Sequence, residues 1–177
     1  MGWKSVKEHY SIEHIVHIRD GKLCIGSTYA TELISVNLQT AQLVYISELV
    51  NKGELARYVQ EFKSDPDQLK RLIEVEDSFN QSILVFTYEG SRIIAKYCEE
   101  LGWPNCTHDG ELQYDNMFSV DQDKVVQWAK NHAQSTIRVL SGTVTELKRN
   151  LSEKETWLAQ AQQDLEELNC LSSPEGT

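Results

Sequence analysis

Histidine and cysteine are the residue types through which this chain could do chemistry, and their spacing decides which chemistry is open to them. His9, His14 and His17 fall close together near the start. On a strand, His14 and His17 are three apart and point to opposite faces, so they do not converge on one metal ion. His17 and Cys24 flank Asp20-Gly21 and become cross-strand neighbours if those two residues close a hairpin. A Cys–His pair becomes an activated thiol when a third group orients the imidazole. The sequence supplies no such group, and Arg19 and Lys22 share that face, so packing is the expected role.

A second cluster lies in the polar stretch from Trp103 to Phe118. Cys106-Thr107-His108-Asp109 gathers reactive side chains, and Glu111, Tyr114, Asp115 and Asn116 follow closely. Either a ligand-binding loop or a tight turn built by Thr, Asp and Gly has this composition. An enzyme pairing Cys106 with His108 is a further reading. Trp103, Tyr114 and Phe118 could stack a planar ligand, or could plug the junction with the next element. Trp103, His108, Asp109, Tyr114 and Asn116 are therefore candidate contacts for a small anionic, nucleotide-like ligand. There is no P-loop, dinucleotide glycine fingerprint, GxSxG or HExxH. No catalytic residue, cofactor or metal is assigned, and the expectation is a protein that is not an enzyme.

The elements that must position these residues begin with a β-meander. Ile12 to Ile18 and Leu23 to Ile25 flank Asp20-Gly21, a type I′ hairpin signal. The two-residue loop pairs Arg19 with Lys22, Ile18 with Leu23, His17 with Cys24 and Val16 with Ile25, placing Val16, Ile18, Leu23 and Ile25 on one core face. Leu33 to Leu38 and Gln42 to Ile46 predict a second hairpin, completing four antiparallel strands. Asn51 with Glu54 predicts a capped helix whose apolar side holds Leu55, Tyr58, Val59 and Phe62. Asp65-Pro66 starts the next, with Leu69, Leu72 and Ile73 facing inward. Ser82 to Tyr88 reads as a fifth strand, and Arg92 to Leu101 as a helix ended by Gly102.

Ser119 with Gln122 predicts the cap of a long final helix. Along it Ile137, Leu140, Val144, Leu147, Leu151, Leu158, Ala161, Leu165 and Leu168 recur at alternating three- and four-residue steps, with only Lys154 interrupting. That is a heptad seam with Ile137, Val144, Leu151, Leu158 and Leu165 at a, and Leu140, Leu147, Lys154, Ala161 and Leu168 at d. Ser152 with Glu155 could cap a second helix and fold the segment back, but the unbroken heptad phase favours one continuous helix. Trp128 is a candidate contact with the head, and Trp157 a candidate anchor for a partner. The expected architecture is α+β: a mixed α/β head at 1–118, an oligomerisation helix at 119–170 and a disordered tail at 171–177.

Charge and composition narrow the function further. The net charge is −10, concentrated in residues 48–118, where fourteen acids face seven bases. This opposes nucleic-acid binding, which depends on Lys and Arg at phosphates, and suits a basic partner or plain solubility. No apolar run approaches a membrane span, and the start lacks the apolar region of a secretory signal. Lys7 also stands where a Gly2 myristoylation signal needs Ser or Thr. Cys24, Cys98, Cys106 and Cys170 form no CxxC, so reduced thiols and a cytoplasmic location are expected.

The stretch Trp103-Pro104-Asn105-Cys106-Thr107-His108-Asp109-Gly110-Glu111-Leu112-Gln113-Tyr114-Asp115-Asn116, followed by a long amphipathic helix, resembles small accessory proteins of tailed phages and prophages. The resemblance covers residues 103–170. It implies a cytoplasmic protein that binds and inhibits a host factor, including a defence component, and it brings no catalytic residue with it. Together with the heptads, this predicts a homo-oligomeric binding protein whose partner is another protein.

Overall fold

The computed structural model describes residues 1–171. The protein is α+β, and its first element is a helix that the sequence pattern does not announce, α1, Trp3–His9. Trp3, Val6 and Tyr10 recur at helical spacing and are all buried, so α1 is held by packing rather than by a side-chain cap. Gly2 is buried in front of it and donates its backbone N–H to Ile73 O at 3.0 Å.

The meander follows as expected. Strands β1 (Ile15–Arg19), β2 (Lys22–Gly26), β3 (Ile34–Asn37) and β4 (Leu43–Ile46) form one antiparallel sheet in that order. Asp20 and Gly21 have φ of 49° and 71°, the left-handed pair that a type I′ turn requires. The β1–β2 register is the expected one, from Arg19 opposite Lys22 to Val16 opposite Ile25. Val16, Leu23 and Ile25 enter the main core with Ile34 and Val36, and Ile18 packs half-buried against it.

Helices α2 (Gly53–Ser64) and α3 (Pro66–Glu74) complete that core with Tyr58, Phe62, Leu69 and Ile73. Asp65 caps α3 by accepting from Gln68 N at 2.9 Å, with Pro66 in the first turn. The cap expected at Asn51 is not made: the N-cap of α2 is Lys52, with no side-chain hydrogen bond. Glu54 is instead drawn to Arg57 at 2.6 Å, and Arg57 also holds Glu61 at 2.9 Å.

The expected helix at Arg92–Leu101 is a strand. Strand β5 (Ile83–Glu89) pairs with β6 (Arg92–Cys98) in a separate two-stranded sheet, not as a fifth strand of the first. Gly90-Ser91 is the two-residue loop between Glu89 and Arg92, a hairpin signal that outranks the weak helical pattern beyond it. Ile93, Ile94 and Tyr97 also suit a pleated strand better than a helix. Val85 and Cys98 close a small second core with Phe118.

The last element is one helix, α4, Gln122–Leu171, about 75 Å long at 1.5 Å per residue. Its start is capped by Asp121, whose Oδ1 accepts from Asp123 N and Lys124 N, and not by Ser119 as expected. Ser119 Oγ accepts instead from Asp121 N. Ser152, the alternative second cap, lies within the helix, where its carbonyl accepts from Thr156 Oγ1 at 3.0 Å. Leu171 belongs to α4, and residues 172–177 of the tail expected to be disordered lie outside the described residues. The chain divides into two units, Met1–Ala129 and a second that starts at Lys130, so the first turns of α4, with buried Val125, belong to the first unit. Among the described residues, no helix is long and apolar enough to cross a membrane.

Candidate functional site

The seam of α4 is exposed along its length. Ile137, Leu140, Val144, Leu147, Leu151, Leu158, Leu165 and Leu168 are each between 48% and 64% exposed. The alternating spacing keeps them on one narrow stripe of a helix, so their exposure is contiguous rather than scattered. Ala161, within the same stripe, is exposed, as is the lone polar member, Lys154. The Lys154 ammonium lies 3.8 Å from the centroid of the Trp157 ring, and Trp157 is itself exposed. Single exposed leucines are ordinary; a contiguous apolar stripe of this length is not.

The five candidate ligand residues of the 103–118 segment fall into separate groups. Trp103 and Tyr114 stack on each other, with ring centroids 4.8 Å apart. His108 stacks on Phe79 at 3.8 Å, and its Nε2 lies 3.2 Å from Gln81 O. Asp109 accepts from Lys96 Nζ at 2.6 Å and from Thr107 Oγ1. Burial alone would raise its carboxyl pKa, but these two hydrogen bonds outweigh it and hold the value below the usual range. Asn116 is exposed.

These partners make the segment a joint between the two sheets. Cys106 pairs with Leu112, and Thr107 with Cys98 of β6. His108 N donates to Tyr97 O at 2.7 Å, while Ile18 N of β1 donates to Gly110 O at 2.8 Å. Gly110 has φ of 87°, and a Cβ there would stand 2.8 Å from Ile18 Cγ1, so only glycine allows this approach. Trp3 Nε1 donates to His108 O at 3.0 Å, fixing α1 to the same joint.

The two candidate thiols sit in surroundings that disfavour the thiolate. Cys24 lies opposite His17 as expected, and both are buried. Burial pushes the Cys24 thiol up to about 11 and holds His17 below its ordinary value. His17 Nε2 is 3.0 Å from Thr31 O, a contact that ties up the imidazole. Cys106 is pushed by burial to about 12, and its Sγ lies 3.4 Å from Val16 O. A thiolate nucleophile requires a lowered pKa, and these cysteines have the reverse. No group of three or more metal-ligating side chains converges among the described residues.

Two surfaces went unread in the sequence. A cleft of about 470 Å³ runs beside α1, lined by Trp3, Lys4, Lys7, Glu99 and Cys106 among others. Lys4 Nζ bridges to Glu99 at 2.7 Å there and lies 5.1 Å from the Phe79 ring. The helical spacing of Trp3, Val6 and Tyr10 is the signal that would have found its wall. The edge strand β4 exposes Val44, Tyr45 and Ile46, whose run of apolar residues lacks the alternation that would bury one face. Compared with known proteins, the chain matches no protein-family model, no curated protein and no solved structure.

Proposed function

We propose that the protein is a non-enzymatic binding protein that self-associates through the seam of α4 and presents its acidic N-terminal unit to a protein partner. The single observation that carries this reading is the exposed stripe from Ile137 to Leu168. Eight large apolar side chains on one stripe gain free energy when a matching helix covers them, and a second copy brings a matching stripe. The buried, high-pKa thiols and the packed positions of His17 and His108 support a role without covalent chemistry.

The acidic excess of residues 48–118 suits a basic protein surface, which complementary charge would steer and orient. In the reading that the phage-like 103–170 segment suggests, that partner is a host factor held inactive by several copies acting together. Multivalent display raises avidity without new contacts. The experiment is native mass measurement of the purified chain beside Leu147→Asp/Leu151→Asp. A multiple of 20.3 kDa for the parent and a single chain for the variant support the reading. A parent that is one chain at micromolar concentration overturns it.

A further inference from the structure

We infer that α4 pairs with the α4 of a second copy in the antiparallel direction, with Ile137 against the second copy's Leu168 and Leu140 against its Leu165. This rests on the self-association reading above and adds the direction and register of the pair. Charge laid along the helix beside the seam favours that direction.

From Lys130 to Asn150, four bases (Lys130, Arg138, Lys148 and Arg149) face one acid, Glu146. From Leu151 to Cys170 the balance reverses: Glu153, Glu155, Asp164, Glu166 and Glu167 against Lys154 alone. Parallel pairing lays base beside base along one half and acid beside acid along the other. Antiparallel pairing lays the basic half of each copy along the acidic half of the other, and it also opposes the two helix dipoles.

The positions that flank the seam give the same answer. In a parallel pair the flanking contacts join Thr143 to Lys148, Asn150 to Glu155 and Asp164 to Asn169, none of which is an opposite-charge pair. In the antiparallel register Lys148 of each copy flanks Glu155 of the other, and two-fold symmetry makes that pair twice. The seam itself stays in phase: Val144 meets Ala161, Leu147 meets Leu158, and Leu151 meets Lys154. A parallel pair would set Lys154 directly against its own copy in a single layer, two ammonium groups at one apolar level. Opposite Leu151, each Lys154 keeps an apolar neighbour for its stem and can carry its ammonium out over Trp157, where it already lies.

The native Cys170 supplies the test. It is exposed, whereas Cys24, Cys98 and Cys106 are buried, and it lies on the outer face of α4, two residues past Leu168. A spin label there leaves the seam intact. The antiparallel register puts the two labels about 35 residues apart along the pair, roughly 50 Å at 1.5 Å per residue. A parallel pair puts them roughly 10–20 Å apart, set by the interaxial distance and the label arms. The measurement is a pulsed dipolar distance on full-length protein whose native mass is read in the same buffer. Two chains with a distance near 50 Å, both lost in Leu147→Asp/Leu151→Asp, support the inference. Two chains with the short distance overturn the direction and leave the seam standing. A single chain overturns the self-association reading itself, and more than two chains overturns the pairwise register.

Discussion

Replacing Leu147 and Leu151 by aspartate puts two carboxylates at consecutive levels of the seam. Each leucine is about 60% exposed in the single chain. Full burial of a leucine is worth about 1.5–3 kcal/mol, so covering the remaining surface contributes about 1–2 kcal/mol per side chain. A pair of chains loses four such side chains, about 4–8 kcal/mol, or about 10³- to 10⁶-fold in association at 1.4 kcal/mol per tenfold. Desolvating four carboxylates adds to that loss. The N-terminal unit, Met1–Ala129, contains neither position, so its near-ultraviolet circular dichroism and thermal midpoint should stay within a degree or two of the parent. The assay is sedimentation equilibrium from about 1 to 100 µM, with Thr156→Asp/Gln163→Asp as a control that adds the same charge on the outer face of α4. The variant should sediment as one chain where the parent does not, and the control should match the parent. Equal association of parent and seam variant, or equal loss in variant and control, would refute the reasoning.

Lys154→Leu should tighten association by about 10- to 10³-fold, since it exchanges two charged seam positions for leucines worth about 1–2 kcal/mol each; a dissociation constant that stays constant or rises contradicts this. Thiol titration of the native protein should show one fast cysteine per chain, Cys170, with Cys24 and Cys106 reacting only on unfolding because burial holds them at about 11 and about 12. A second fast thiol would reopen cysteine chemistry. Gly110→Ala should cost the N-terminal unit about 2–4 kcal/mol, from the left-handed φ and the crowding against Ile18, measured as a shifted denaturant midpoint. His17 has a lowered value in the folded state, so its contribution is complete above about 6.5 and is lost as pH falls through the folded value. The thermal midpoint should therefore decline on the acid side of about 6.5, and an imidazole NMR titration that places His17 at or above its ordinary value contradicts the assignment.

Local signals made the first hairpin legible to the residue. Asp20-Gly21 admits one tight turn, and a period of two then fixes which side chains face inward, so the pairing of Val16 with Ile25 follows without any knowledge of the remainder. The continuity of α4 was legible for a similar reason, because its heptad phase crosses Ser152 unbroken. Two elements carry signals too weak or too mixed to be legible. Helix α1 is only seven residues, too short to announce itself by propensity, and it exists because Trp3, Val6 and Tyr10 fit the core. The 92–98 segment carries residues that both helices and strands accept, and pairing across Gly90-Ser91 decided between them.

By itself, then, the sequence determined what depends on neighbours along the chain: the meander, the Asp65-Pro66 helix start, and an apolar stripe that one helix displays on one side. Tertiary structure decided what depends on residues far apart. It tied the 103–118 segment into a joint between two sheets, through Ile18 and Trp3, both far from it in sequence, and through Tyr97 of β6. It spent His108 on Phe79 and Asp109 on Lys96, and it sealed three of the four cysteines from solvent. Burial is a sum over distant neighbours, and no pattern in the chain carries that sum until the chain has folded.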